Sequence, residues 1–384
     1  MKAIKNGVVI VPDERGDFHA QPGLVVLYDR DQIKAVVSED AWAEDEADDV
    51  VDAQGLFVGP GFLNVHIHGC GGSDTMDATP EDLEVMSRVQ ASSGVTGFLP
   101  TTMTCTWEEI VTALENVRWG LGHDLPGARV LGAHMEGPFI SPQKKGSQKE
   151  DNIRKAEYSL IAPFADVVRL ITLAPEELPD YSFVQRCRQA GITISIGHTA
   201  ADYDTAFAAV QEQGIHHFTH TYNAMTPFQH REPGVVGAAL DTDANCELIA
   251  DNVHCHPAAQ RLLYRAKGGQ HIILVTDSMR AAGLGDGISE LGGQKVFVKG
   301  ERATLADGTI AASVASLNSC MRHFSENTGA PLPRVVEMVT RTPALDLGLY
   351  DEVGSIEPGK RADLTIFDSE FAIRTTIVGG QVAG

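Results

Sequence analysis

Clustered cysteines and long apolar segments are both missing from this 384-residue sequence. Its six cysteines include no C-x-x-C pair, so a dense disulfide framework is not expected and reduced thiols are the default. No run of 18 uncharged apolar residues occurs, and the first residues contain no apolar signal region. We therefore expect a cytoplasmic protein that is neither exported nor membrane-spanning.

Positive charge is also scarce. The sequence has 30 Lys and Arg against 52 Asp and Glu, a formal net charge of -22. This charge repels nucleic acid and anionic membranes, so neither is expected as a partner. A small anionic substrate is still allowed, because salt screens charges beyond about 8 Å and a few local cations can dominate a pocket. The composition, 43% hydrophobic and 21% charged, is typical of a globular chain with one large domain and one smaller domain.

Short apolar runs alternate with helix-length amphipathic segments from residue 58 onward. This alternation is typical of βα units around a parallel sheet. Eight runs with helices between most of them predict a (β/α)8 TIM-like barrel, although the segment after Pro233 is a weak helix. The candidate strands are 62–68, 97–101, 130–136, 168–173, 193–197, 216–220, 247–250 and 271–276.

The two ends of the chain have a different texture, rich in Val, Ile and short turns. We expect residues 1–57 and 348–384 to pair with each other and form a small β-sandwich domain. The barrel then occupies residues 58–347. A glycine-rich stretch near 283–312 predicts a β-hairpin insertion into the barrel.

Histidines and carboxylates follow six of the eight candidate strands. The carboxyl ends of barrel strands share one face, where catalytic groups collect. One such residue alone is usually a hydrogen-bonded polar group, but six together are the set that a mixed His/carboxylate metal centre with an open position for water requires. In strand order they are His66 with His68, Glu136, His198, His220, His254 and Asp277.

His66 and His68 are two residues apart on the first strand and so project from the same face. Two imidazoles in this arrangement can share a metal ion, although the motif by itself equally fits an ordinary polar strand end. His134, two residues before Glu136, could support the ligands. The roles of His216 and His217 stay open.

Eight sequence blocks resemble the amidohydrolase superfamily and, more narrowly, the N-acetylglucosamine-6-phosphate deacetylase family within it. They stand in the family's order over nearly the whole chain, and the Glu-Gly-Pro and Tyr-Asn-Ala-Met blocks are far more specific than His-x-His. The blocks are PGFLNVHIHGCGG (60–72), HMEGPF (134–139), GHT (197–199), THTYNAM (219–225), REPG (231–234), DNVH (251–254), VTD (275–277) and PGKRAD (358–363).

The resemblance implies a metal-dependent enzyme with one or two divalent ions per chain. Glu136, His198 and His220 would hold the main ion. His66 and His68 would hold a second ion, with Glu136 placed to bridge the two. His and carboxylate ligands suit zinc or iron first, and manganese or cobalt as alternatives.

The resemblance also implies the reaction, with Asp277 as the catalytic acid and base. The expected chemistry is hydrolysis of the acetamide of N-acetyl-D-glucosamine 6-phosphate to D-glucosamine 6-phosphate and acetate, in amino-sugar catabolism and cell-wall amino-sugar recycling. Asp277 would take a proton from water and deliver it to the departing amine, which is otherwise a poor leaving group.

The phosphate of such a substrate needs local donors in an acidic protein. Arg231 is the obvious candidate, because a guanidinium matches phosphate geometry. The resemblance places Asn223 and the backbone of Ala224 at the same phosphate and His254 on the sugar. It also places Arg231 in the active site of a neighbouring subunit, which implies a homodimer.

Two departures from the family pattern affect the substrate pocket. This chain has Ser147 and Gln148 at a pair of positions whose second residue is usually a histidine in relatives. It has Ala311 and Ala312 where Gly-Ser is common. Gln148 can hydrogen-bond but cannot carry charge, and the methyl group of Ala312 could narrow the sugar pocket. We count Ser147, Ala311 and Ala312 as substrate-contacting positions.

Two alternative functions are weighed against this one. The first is a related amidohydrolase that acts on another N-acetyl sugar phosphate, such as N-acetylgalactosamine 6-phosphate. The second is a metal-free scaffold that kept the barrel and lost catalysis. Loss of ligands would mark a scaffold, and here the ligand set is complete.

Overall fold

A computed structural model describes residues 1–44 and 47–383 of the protein. Both chain ends meet in one mixed sheet, separate from the barrel, which confirms the predicted small domain. Its strands are β1 (Lys2–Pro12), β2 (Phe18–Asp29), β3 (Gln32–Ser38), β4 (Asp49–Asp52), β5 (Phe57–Pro60), β21 (Leu364–Phe367), β22 (Ile373–Val378) and β23 (Gln381–Val382). The carboxyl-terminal strand β21 pairs antiparallel with β5 of the amino-terminal segment.

The large domain is a parallel barrel, as predicted. Its described strands are β6 (Phe62–Ile67), β9 (Val95–Thr102), β10 (Arg129–Val130), β11 (Ala133–Glu136), β12 (Val168–Leu173), β13 (Thr193–Ile196), β14 (His217–Phe218), β15 (Asn245–Ile249) and β16 (Ile272–Val275). Most are continuous buried runs, as expected for parallel strands covered on both faces. A parallel bridge between Ile67 and Ser278 joins the last strand to the first.

Helices cover the outside of the barrel. Among the described residues they are α1 (Pro80–Ser92), α2 (Trp107–Leu121), α3 (Tyr158–Ile161), α4 (Ser182–Gln189), α5 (Tyr203–Gln211), α6 (Gly234–Asp241), α7 (Pro257–Lys267), α8 (Leu317–Thr328), α9 (Leu332–Glu337) and α10 (Arg341–Asp346). The weak pattern after Pro233 forms α6. Within the described chain, no helix combines the length and apolar character needed to cross a membrane.

Helix α2 illustrates how the sequence sets these boundaries. It starts with a capping box in which Thr106 and Glu109 bond each other's backbone N–H groups. Ile110, Leu114 and Val117 recur at helical spacing and are fully buried against the barrel. The apolar stripe therefore fixes which face of the helix covers the strands.

Two small antiparallel sheets lie outside the barrel. The segment predicted as a hairpin insertion has four strands, and a separate two-stranded hairpin follows β6. These strands are β7 (Gly69–Cys70), β8 (Ser73–Asp74), β17 (Gly287–Leu291), β18 (Gln294–Lys299), β19 (Arg302–Thr304) and β20 (Ile310–Ala312). The Ser147 hydroxyl donates to the carbonyl of Ala311 at 3.0 Å, which ties the insertion to a loop of the barrel. The domain boundaries at 57/58 and 347/348 stay predictions.

Candidate metal centre and active site

The six ligand-type residues predicted for the metal and catalytic roles meet at the carboxyl-end face of the barrel. Each ends a strand or follows one closely, and each is at most 8% exposed. They are His66, His68, Glu136, His198, His220 and Asp277. Residues up to 211 positions apart in sequence therefore form one cluster, because parallel strands present their carboxyl ends on one side.

Three of these residues have a left-handed backbone conformation. His198, His220 and Asp277 have φ of 48°, 30° and 46°, and each stands two residues after the end of its strand. Such conformations cost about 1–3 kcal/mol per non-glycine residue and persist where the surroundings fix them. Gly197 allows one of the turns, because a Cβ there would lie 2.7 Å from side-chain atoms of both Thr172 and Thr219.

Glu136 lies at the centre of the cluster. Its Oε1 is 3.2 Å from His198 Nε2, 3.0 Å from His220 Nε2 and 3.4 Å from His66 Nε2. Its Oε2 is 3.2 Å from His68 Nε2. One carboxylate thus faces four imidazole nitrogens, which is the arrangement of a ligand that can bridge two ions.

Asp277 completes the cluster on the side of the histidine pair. Its Oδ1 is 3.2 Å from His68 Nε2 and 3.4 Å from His66 Nε2. Burial raises the pKa of Asp277, but the charge of His66 and the hydrogen bond from His68 outweigh it and lower the pKa below 3.8. Burial likewise raises the pKa of Glu136, and His198 and His66 hold it well below its usual value. Both carboxylates are therefore ionised at neutral pH.

The donor set fits a divalent cation. Nε2 of His66 is buried without a hydrogen-bond partner, yet it faces oxygens of Glu136 and Asp277 at 3.4 Å. Nε2 of His198 and Nε2 of His220 are 3.1 Å apart. Nitrogens and carboxylate oxygens converge in this way around a shared positive charge. Glu136 with His198 and His220, and Glu136 with His66 and His68, each bring their ligand atoms within 4.8 Å of one another.

Gln148 contacts the metal-ligand cluster directly. Its Nε2 donates to Glu136 Oε2 at 2.6 Å, and its Oε1 accepts from the backbone N–H of Thr104 at 2.7 Å. From the sequence we expected this residue to affect the sugar pocket. The structure shows that it also orients Glu136, because both ends of its amide are hydrogen-bonded.

A cavity of about 370 Å³ opens above the cluster. Its wall includes five of the predicted substrate-contacting residues, together with Lys144 and Gln148. The five are Ser147, Asn223, Ala224, His254 and Ala311. His254 Nδ1 lies 2.7 Å from Asp251 Oδ2, which fixes the ring.

Two predicted substrate contacts lie outside this wall. Ala312 is 2% exposed and does not line the cavity, because alternate residues of β20 face opposite sides of the sheet. The expectation that its methyl group narrows the sugar pocket by direct contact is therefore corrected. Arg231 is exposed and lines a separate hollow of about 530 Å³ on its own chain.

The sequence reasoning missed one residue that contacts the site and left the role of a second, neighbouring residue open. Glu247 is fully buried in β15, and its carboxylate lies 2.8 Å from His66 Nδ1. His217, whose role stayed open, contacts Glu247 at 3.1 Å. A signal was present, because a glutamate inside a buried apolar strand is almost always paired. His134, the predicted supporting residue, is buried with its ring edge to face against His66 at 4.5 Å between centroids.

Comparison with known proteins agrees with this geometry. The sequence pattern described as the amidohydrolase family matches residues 57–383. The N-acetylglucosamine-6-phosphate deacetylase of Bacillus subtilis (strain 168) is 42% identical over 332 residues, covering 84% of each chain. The N-acetylgalactosamine-6-phosphate deacetylase of Escherichia coli O157:H7 is 36% identical over 84% of this chain and 87% of its own.

Solved structures give the same result. The crystal structure of N-acetylglucosamine-6-phosphate deacetylase from Pasteurella multocida superimposes with a TM-score of 0.93 at 32% identity, covering 99% of both chains. The superimposed residues therefore include both the barrel and the sheet formed by the two chain ends. The match over residues 57–383 and the 42% identical relative together show that this chain belongs to the amidohydrolase family.

Proposed function

We propose that the protein hydrolyses the acetamide of N-acetyl-D-glucosamine 6-phosphate to D-glucosamine 6-phosphate and acetate, a step of amino-sugar metabolism. The observation that carries this proposal is the cluster of Glu136 with four histidines and Asp277 at the floor of the 370 Å³ cavity. The names of the relatives from B. subtilis and P. multocida support the substrate.

Glu136, His198 and His220 would hold the main divalent ion, and His66 and His68 with Glu136 a second one. Zinc or iron suits this donor set, with manganese or cobalt as alternatives. When bound, the ion lowers the pKa of coordinated water to about 7 and polarises the substrate carbonyl. Three of the histidines, His66, His68 and His198, keep their positions through second hydrogen bonds, such as that of His198 Nδ1 with the carbonyl of Lys144 at 2.9 Å.

Asp277 would move the proton. Its carboxylate is ionised and buried beside His66 and His68, so it accepts the proton of the attacking water as the oxygen bonds to the acetyl carbon. It then gives this proton to the sugar nitrogen while the C–N bond breaks. A neutral amine and acetic acid leave, the Asp277 carboxylate is regenerated, and the acid gives its remaining proton to solvent to become acetate.

Substrate positioning would fall to the cavity wall. Asn223 and the backbone of Ala224 face the cavity and suit the phosphate, and His254 suits a sugar hydroxyl. Lys144 adds a positive charge to the same wall. These local donors offset the repulsion that a chain with net charge -22 exerts on an anionic substrate.

The decisive functional test compares three substrates at equal concentration by acetate release. We expect N-acetylglucosamine 6-phosphate to be hydrolysed with the highest kcat/KM. The kcat/KM for unphosphorylated N-acetylglucosamine should be at least about 10²-fold lower, because the protein's phosphate-binding donors stay unpaired with that sugar. Equal rates with and without phosphate would contradict the proposal. A higher kcat/KM on N-acetylgalactosamine 6-phosphate would instead favour the alternative function, which the relative from E. coli O157:H7 motivates.

A homodimer with a shared active site is part of the proposal. Arg231 is exposed and does not line the cavity of its own chain, so its guanidinium is free to bind the phosphate in a second copy. We expect Arg231→Ala to raise KM much more than it lowers kcat, because the phosphate contact is made equally in the ground and transition states. The neighbouring exposed residue gives the control, His230→Ala, which should keep the wild-type KM.

Mixing two impaired variants tests whether Arg231 acts across the dimer, with the substrate concentration kept well below the KM of Arg231→Ala so that this variant alone is slow. Hybrids of Arg231→Ala with Asp277→Asn have one intact site if the arginine comes from the partner, so random exchange restores about a quarter of wild-type sites. Asp277→Asn alone should stay inactive at all substrate concentrations. If the mixture shows only the sum of the separate activities, Arg231 does not act in the other subunit.

A further inference from the structure

A chain of alternating imidazoles and carboxylates crosses the interior of the barrel. His66 Nδ1 lies 2.8 Å from Glu247 Oε2, and Glu247 Oε1 lies 3.1 Å from His217 Nε2. His217 Nδ1 lies 2.6 Å from Asp346 Oδ2. The side chains of His66, Glu247 and His217 are 0% exposed and that of Asp346 is 5% exposed. We call these four residues the core relay.

The core relay ends on the side of the barrel opposite the active site. Asp346 is the last residue of α10 and lines a cavity of about 330 Å³ with Thr193, which begins β13. The Thr193 hydroxyl donates to the backbone carbonyl of Asp346 at 3.0 Å. The relay therefore connects the amino-terminal end of the strands to their carboxyl ends, where His66 faces Glu136.

Glu247 is held from three directions. Besides its contacts with His66 and His217, its Oε2 accepts the backbone N–H of His220 at 3.1 Å. A buried carboxylate is costly unless its lone pairs are satisfied, and here the donors fix its rotation. The fixed Oε2 of Glu247 in turn sets the orientation of the His66 ring. Oε2 accepts a hydrogen bond from Nδ1 of His66, so Nδ1 must carry a proton. In the neutral ring that metal binding requires, Nε2 of His66 then has a lone pair directed at the proposed second metal site.

His217 needs a proton on each nitrogen. Both ring nitrogens face a carboxylate oxygen, so both must donate, and only the imidazolium has two N–H groups. Burial lowers the pKa of His217, but Asp346 and Glu247 outweigh it and raise the pKa to about 10. Asn245 Nδ2 donates to the other oxygen of Asp346 at 2.7 Å, which holds this carboxylate in place.

We infer that His217 and Asp346 are positioning residues for the second metal site, acting through Glu247 on the tautomer and orientation of His66. This inference rests on the proposed metal role of His66. Loss of the Asp346 charge removes one of the two carboxylates that keep His217 protonated. A neutral His217 keeps only one N–H, so its hydrogen bond to Glu247 loses the positive charge that strengthens it. The Glu247 carboxylate is then held less firmly, and so is the ring of His66.

Metal binding to the metal-free protein tests the inference. Zinc titrations should resolve two sites in the wild type, and Asp346→Asn and His217→Gln should each weaken the second site by about 10- to 100-fold while the first ion stays bound. His66→Gln combined with His68→Asn marks complete loss of the second site. The matched control is His216→Gln, because His216 adjoins His217 and lines the same cavity but is exposed and outside the relay.

A role of the relay in barrel stability alone predicts a different result. Asp346→Asn and His217→Gln would then lower the melting temperature without changing the second zinc dissociation constant, which would overturn the inference. A wild type that binds a single ion would overturn both the inference and the second-site proposal. Deacetylation at the first site would be judged separately by acetate release.

Nuclear magnetic resonance of the wild type covers the case in which both variants fail to fold. In zinc-loaded protein labelled with 15N histidine, we expect protons on both ring nitrogens of His217 and on Nδ1 of His66. A neutral His217, or a His66 protonated at Nε2, would contradict the relay.

Discussion

Replacing Asp277 with asparagine is expected to lower kcat by about 10²- to 10⁴-fold while the metal content stays at the wild-type level. The amide keeps the shape of the side chain, but it can neither accept the proton of water nor protonate the sugar amine. Glu136, His198 and His220 are untouched in this variant, so the main ion should stay bound. Acetate release and metal analysis of the same preparation measure both quantities.

A second buried aspartate provides the control for the loss of a buried carboxylate. Asp363, which precedes β21 of the small domain, is 5% exposed and pairs at 2.9 Å with Arg129 of the barrel strand β10, away from the active site. Asp363→Asn should destabilise the protein yet keep its kcat. If Asp277→Asn retained near-normal turnover, another group would have to carry the proton.

Replacing Glu136 with glutamine is expected to remove bound metal and to reduce activity by at least about 10³-fold, since a bound ion is worth several kcal/mol in the transition state. Glu136 is the residue shared by both proposed ion sites, and its two oxygens face four histidines. A neutral amide also leaves less negative charge to offset the cation. Metal analysis after dialysis, together with acetate release, checks this result.

Thermal unfolding gives an independent measure of the same change. A ligand that binds only the folded state raises its stability, so a chelator should lower the melting temperature of the wild type but not that of Glu136→Gln. The matched control is Glu337→Gln, because Glu337 is 1% exposed and accepts the backbone N–H of Phe18 at the junction of the two domains. This control should keep its metal and its response to chelator. Full metal content in Glu136→Gln would contradict the central role of this carboxylate.

The fold was predictable from the sequence to a large extent. Continuous apolar runs such as Ile272–Val275 identify strands covered on both faces, and the caps at Thr79 and Thr106 identify helix starts. These signals are local, because burial and capping act on neighbouring residues. The four strands of the insertion were less predictable, since apolar residues such as Ile288 and Phe297 are exposed there and break the alternation of apolar buried and polar exposed positions.

The candidate site was predictable wherever its residues end a strand. Glu136, His220 and Asp277 were identified in this way, and the structure brings them together with the histidine pair. The contact between Gln148 and Glu136 was not foreseen, because Gln148 lies in a loop whose path depends on tertiary packing. Arg231 shows the same limit, since its position relative to a second copy is not encoded in any local pattern.

The sequence by itself determined which side chains can act as ligands and that all of them lie at one end of a parallel barrel. The meaning of the pair His66 and His68 was left open, because two imidazoles on one strand do not define what their other nitrogens contact. Closure of the barrel decided this: it brought Glu247, 181 residues away, to 2.8 Å from His66 Nδ1 and connected it through His217 to Asp346. Local propensity sets strands and helices, whereas the register of distant strands and the pairing of buried charges arise only when the whole barrel packs.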